Sequence, residues 1–119
     1  MSTAAYIESE DQFNELIASE SLVVVDFTAT WCGPCKVVGP RMDKLAAEYG
    51  NRIQVFKLDL DAHNAVAKRF EIRSIPAVML FKQGKILETL VGVKPYEAFT
   101  KAVDDCLLSS TSSDTPKDA

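Results

Sequence analysis

The chain has 119 residues, 47% hydrophobic and 25% charged, with 17 acidic against 13 basic side chains and a net charge of -4. That length suits one domain with a real core. With no Lys/Arg run in the sequence, neither nucleic acid nor an anionic membrane is an expected partner, and no stretch approaches the roughly 20 apolar residues of a membrane helix.

Three cysteines are too few for a disulfide-stapled secreted scaffold. Cys32 and Cys35 form a close pair and Cys106 stands alone, a pattern that suits a working dithiol in a reducing compartment. A cytoplasmic location is therefore expected. The residues Met1-Ser2-Thr3-Ala4-Ala5 carry no basic segment leading into an apolar one, so no secretory signal is expected either.

In chain order, residues 4–7 suit a short first strand. Ser9, followed three residues later by Gln12, predicts a capped helix start, and Phe13, Leu16 and Ile17 supply its buried stripe. Residues 22–27 form a continuous β-rich run, expected to be a central strand buried on both faces. A second helix is predicted over 33–49, with Val37, Val38, Met42, Leu45 and Ala46 as its apolar face, a kink ahead of Pro40, and Gly50-Asn51 as its end. Residues 53–58 read as a strand. Asp61 is placed to cap a short helix through Phe70, with Ala65, Val66 and Phe70 inward.

Arg73-Ser74-Ile75-Pro76 reads as a loop. Two strands, 77–81 and 86–91, bracket Lys82-Gln83-Gly84-Lys85 as a hairpin. Pro95 suits the first turn of a last helix with Phe99, Ala102, Val103, Cys106 and Leu107 on one stripe. From Ser109 the composition turns Ser/Thr-rich, so residues 1–108 are taken as the domain and 109–119 as a disordered tail. The order βαβαβαββα implies an α/β fold, a central mixed five-stranded sheet with four helices on its two faces.

Chemistry concentrates in Trp31-Cys32-Gly33-Pro34-Cys35, at a strand-to-helix turn. A helix N-terminus offers unsatisfied N–H groups and a partial positive charge, which favour a thiolate at Cys32, and the thiolate is the nucleophile. Gly33 permits close backbone approach, and Pro34 forfeits no needed N–H in a first helical turn. Three residues on, Cys35 shares a side of the helix end with Cys32, so the two can close a reversible disulfide. The expected reaction is attack by Cys32 on a partner disulfide and resolution of the mixed disulfide by Cys35. Cys35 is expected to be the more buried thiol and to need a base. Asp26 is the candidate, its own pKa raised by burial, with Lys57 on the neighbouring strand offsetting its charge.

The residues Asp26-Phe27, Trp31-Cys32-Gly33-Pro34-Cys35-Lys36, Pro40, Lys57, Asp59, Ile75-Pro76, Gly84 and Gly92 resemble, in identity and spacing, the thioredoxin family over residues 4–108. The resemblance implies a thioredoxin fold and a protein-disulfide reductase with Cys32 attacking, Cys35 resolving and Asp26 accepting the proton of Cys35. It implies a cis Ile75-Pro76 bond facing the dithiol, where the backbone pairs with an extended substrate. Trp31, Gly33, Pro34, Ile75, Val91 and Gly92 would form a shallow apolar docking surface. No bound cofactor or metal is implied. The implied partners are disulfide-containing target proteins and an NADPH- or ferredoxin-linked thioredoxin reductase, and a monomer is expected. At Thr28 many bacterial members carry Trp, and Phe27-Thr28-Ala29-Thr30-Trp31 is more similar to the plant and animal cytosolic branch.

Other readings stand beside these. A CxxC pair is half of a zinc site, but only Cys106 and His63 remain as further ligands. Asp26 has the alternative of capping or facing water, Lys57 of a solvated strand lysine, Pro76 of an ordinary turn proline. Cys106 is expected to be a small core residue and His63 an exposed helix residue. A thioredoxin-like binding module with incidental cysteines is the rival function. An isomerase or oxidant fits less well, because Gly33-Pro34 matches the reducing members.

Overall fold

Residues 4–112 are described by a computed structural model, the last four through their backbone alone. The elements are β1 (Ala5–Tyr6), α1 (Glu10–Ile17), β2 (Leu22–Thr28), α2 (Gly33–Tyr49), a 3-10 turn (Gly50–Arg52), β3 (Ile53–Asp59), α3 (Asn64–Arg69), β4 (Ala77–Lys82), β5 (Lys85–Val91) and α4 (Tyr96–Ser112). One five-stranded sheet runs in the order β1-β3-β2-β4-β5. β3 pairs in parallel with both β1 and β2, while β4 is antiparallel to β2 and β5.

β2 lies in the middle and is buried along its whole length, Asp26 and Thr28 included. Alternation along it decides which core each side chain joins. Leu22 and Val24 pack with Val38, Met42 and Leu45 of α2 and Phe99 and Val103 of α4. Val23, Val25 and Phe27 pack on the other face with Phe13 and Ile17 of α1 and Val66 of α3. The same parity sends Asp26 to the α2 face, and Ile53 and Val55 in the α2–α4 core put Lys57 on that face of β3.

The second face centres on Phe13, whose ring meets Phe27, Phe70 and Phe81 at centroid distances of 6.2, 5.7 and 5.8 Å. Ser9 caps α1, its Oγ accepting the Gln12 N–H at 3.0 Å. Gln12 returns its Oε1 to the Glu8 N–H rather than to Ser9. The β4–β5 turn places Gln83 and Gly84 at φ 53 and 81, the two positive values that suit a two-residue hairpin to the twist of its strands.

Several expectations change. Val37 is 45% exposed, because the buried stripe of α2 runs through 38, 42, 45 and 49 and leaves 37 about 100° away. Asp61 does not cap α3: the Asp59 carboxylate accepts the Asp61 N–H at 2.9 Å, and His63, half-buried, holds the cap position without a side-chain bond. Ala65 faces solvent, whereas Val66 is buried and Ala67 and Phe70 pack against the core. α4 continues to Ser112, past the compositional boundary at 108; residues 113–119 of the expected tail lie outside the described residues. No helix among the described residues is long and apolar enough to cross a membrane.

Candidate active site

The topology gathers four segments at one end of the sheet. β2 and β3 are parallel, so both finish there; β4 starts there and β5 returns there, with Phe27 opposite Ala77 and Ala77 opposite Val91. The carboxyl ends of parallel strands are where α/β sheets commonly place ligands. Chain leaving β2 makes a tight turn, the Cys32 N–H donating to the Ala29 carbonyl at 3.2 Å, and enters α2 with Cys32 in the cap position.

Cys32 and Cys35 are joined as a disulfide with Cα atoms 5.3 Å apart. The Cys35 N–H donates to Cys32 Sγ at 3.2 Å, so the helix terminus directs a donor at that sulfur, and the same contact favours its thiolate when the bond is reduced. The other side of Cys32 Sγ lies 4.0 Å from the Ile75 carbonyl oxygen. Burial does not separate the two cysteines as expected: they are 4% and 3% exposed. Position separates them, because Cys35 lines a cleft that also holds Asp26.

That cleft, about 460 Å³, is lined by Asp26 and Thr28 of β2, Cys35, Gly39 and Asp43 of α2, and Lys57 of β3, among others. Asp26 is 0% exposed, and neither carboxyl oxygen has a hydrogen-bond partner among the described residues. Burial pushes its pKa from an ordinary 3.8 up to about 7, against the Lys57 charge that lowers it and with the Asp43 charge that raises it. The readings of Asp26 as a cap or a water-facing acid are therefore excluded by its burial.

Lys57 stands opposite Asp26 in the β2–β3 register, yet its Nζ pairs with Asp43 Oδ1 at 3.1 Å. Asp43 is the residue that reasoning from sequence missed. A signal for it exists: Cys35, Gly39 and Asp43 recur every four residues along α2, one face of the helix.

The Ile75-Pro76 bond is cis. Ile75 packs on Ala29, Cys32 and Cys35, and the Gly92 N–H donates to the Pro76 carbonyl at 2.8 Å, tying the loop to the end of β5. Gly92 reaches that position at φ 94, in the left-handed region that favours glycine. Trp31 and Val91 are 69% and 46% exposed, and Gly33 and Pro34 are exposed while Pro76 is buried. Cys106 sits in the α4 stripe, its thiol pushed up to about 11 by burial and then by the Glu88 and Asp105 charges. Among the described residues no three His, Cys, Asp or Glu side chains are grouped to hold a metal.

A thiol pair closed at a helix N-terminus, above a sheet of this order, defines a thiol–disulfide exchange protein. Comparison with known proteins agrees. The Thioredoxin family model matches residues 4–105. Thioredoxin of Bacillus subtilis is 37% identical over 100 residues, 84% of this chain and 96% of that one. The chloroplastic M-type thioredoxin of Spinacia oleracea is 42% identical over 92 residues, 77% of this chain and 51% of that one. The solved structure of Malassezia sympodialis thioredoxin superposes with a TM-score of 0.81 at 33% identity, covering 87% of this chain and 91% of the other. The chain belongs to the thioredoxin family, has the thioredoxin fold, and is a thiol–disulfide oxidoreductase that reduces disulfides of target proteins through Cys32 and Cys35. Identities to chloroplast, bacterial and fungal members lie close together, at 42%, 40% and 39%.

Proposed function

We propose that the two thiols divide the reaction by position. The Cys32 thiolate attacks one sulfur of a target disulfide; the target's other sulfur leaves as a thiolate, and a mixed disulfide links Cys32 to the target. Cys35 then loses its proton and attacks Cys32 Sγ, expelling the second target thiolate and closing the Cys32–Cys35 disulfide. The target gains two electrons and the dithiol loses two. The observation that carries this reading is the Cys35 N–H aimed at Cys32 Sγ, since it favours the anion on Cys32 alone. Asp26, partnerless in the cleft that Cys35 also lines, accepts the Cys35 proton, and Lys57 tempers its charge.

The target docks on Trp31, Gly33, Pro34, Ile75, Val91 and Gly92, its extended backbone beside Pro76. Trp31 supplies the largest exposed apolar surface there. The protein works as a monomer in the cytoplasm, where a reducing environment suits a free dithiol, and carries electrons to its targets from a thioredoxin reductase, NADPH-linked or ferredoxin-linked.

The test is a pair of traps. Cys35→Ser keeps attack and loses resolution, so it accumulates stable mixed disulfides with a model target such as insulin; Cys32→Ser accumulates none. Equal trapping by both variants would refute the division of roles.

A further inference from the structure

The backbone offers an ion pair that the side chains do not make. Asp26 and Lys57 are opposite one another in the parallel β2–β3 register and share the α2 face. A lysine so placed would ordinarily close on a buried, partnerless carboxylate. Instead Lys57 Nζ lies 3.1 Å from Asp43 Oδ1 and 5.9 Å from the centre of the Tyr6 ring, and both Asp26 oxygens stay unpaired. Asp43 is itself held in place, because the Ala4 N–H donates to the same Oδ1 at 3.1 Å. The ammonium passes Gly39, one turn earlier on α2, where a Cβ would make only ordinary contact with Nζ at 3.8 Å.

We propose that Asp43 is a positioning residue, anchoring the Lys57 ammonium at the outer wall of the cleft so that the charge does not close on Asp26, which is left free to take up and give back a proton. The significance for exchange rests on Asp26 being the proton acceptor of Cys35.

The charges around Asp26 support this. From α2 the cleft receives Cys35, Lys36 and Asp43; from β3, Lys57 and Asp59; from β1, Tyr6. Across β4 its register partner is the apolar Val78. Lys57 is thus the cation facing Asp26 from β3, and Lys36 the one on α2. Removing the Asp43 charge acts twice in one direction. It deletes an anion that holds the Asp26 proton on, and it releases Lys57 to approach a carboxylate that has no other partner.

The experiment follows the Asp26 carboxyl by 13C NMR titration in the oxidised full chain, for wild type, Asp43→Asn, Asp43→Glu, Lys57→Met and Asp43→Asn/Lys57→Met. The amide oxygen left by Asp43→Asn still accepts the Ala4 N–H, so the fold is expected to persist. Asp43→Asn should lower the Asp26 midpoint by about one pH unit or more, the effect of an opposite charge brought close. Asp43→Glu, which keeps an anchoring carboxylate, should stay near wild type. In the Lys57→Met background the effect of Asp43→Asn should fall to less than half. A midpoint unmoved by Asp43→Asn would overturn the proposal, and so would an effect of equal size with and without Lys57, since Asp43 would then be a field charge only. A second readout is the pH profile of mixed-disulfide resolution by the reduced protein, which should move with the NMR midpoint. If the midpoint moves and the profile does not, the anchor stands and the assignment of Asp26 as proton acceptor fails.

Discussion

Replacing Asp26 by Asn should make the protein more stable, and by an amount that depends on pH in a defined way. In the folded chain the Asp26 carboxyl is 0% exposed with both oxygens unpaired, and burial raises its pKa from 3.8 to about 7. Between these values the native state holds a proton that the unfolded chain has released. The slope of stability with pH from this group is therefore negative, about -1.4 kcal/mol per pH unit. Below 3.8 both states are protonated and the group costs nothing through ionisation. Above about 7 both are ionised and the accumulated penalty levels off at about 4 kcal/mol. Asn is neutral throughout and buries an amide of similar size, so Asp26→Asn should gain little near pH 4 and up to about 4 kcal/mol above pH 7. Urea unfolding of both oxidised proteins between pH 5 and 9 measures this directly. Stability curves that run parallel over that range would refute the reasoning, because they would mean Asp26 titrates alike in the folded and unfolded chains.

Three further outcomes are expected. Asp26→Asn should also slow release of reduced target from the mixed disulfide near neutral pH in single-turnover measurements; unchanged rates would exclude Asp26 as the base for Cys35. Phe13→Ala removes the ring that meets Phe27, Phe70 and Phe81, and should cost about 3–5 kcal/mol in denaturant unfolding. Trp31→Ala, at a side chain 69% exposed, should leave stability within about 0.5 kcal/mol while lowering kcat/KM for insulin reduction about tenfold, the loss of a docking contact worth about 1.4 kcal/mol.

How far the sequence reaches can be judged residue by residue. The Ser9 cap, the all-buried β2 and the hairpin at Gln83-Gly84 were all legible, because each depends on neighbours within a few positions. The α3 start was not: Asp61 has the right chemistry for a cap, but the chain first turns on Asp59. Val37 was misplaced for a related reason. Adjacent helix positions stand about 100° apart, and the hydrophobic pattern alone does not say whether Val37 or Val38 points at the centre of the core. At the site, the thiols, Asp26 and the Ile75-Pro76 loop are legible through local chemistry and through resemblance to the thioredoxin family. The Asp43 partner of Lys57 is not legible there, because the pair joins a helix to a strand.

The sequence by itself determined the elements, the dithiol at a helix start and the parity that turns Asp26 inward, since each is a matter of backbone geometry repeated over short spans. Only the tertiary structure decided where the charges go. Lys57 has Asp26 beside it in the sheet and Asp43 above it on α2, 14 positions away in sequence. The choice between them depends on how α2 crosses β3 and on which carboxylate keeps contact with water: the Asp43 side chain is 36% exposed, whereas Asp26 is 0% exposed. An ammonium held at the wetter carboxylate gives up less hydration than one drawn into the core, and that difference leaves Asp26 unpaired beside the dithiol.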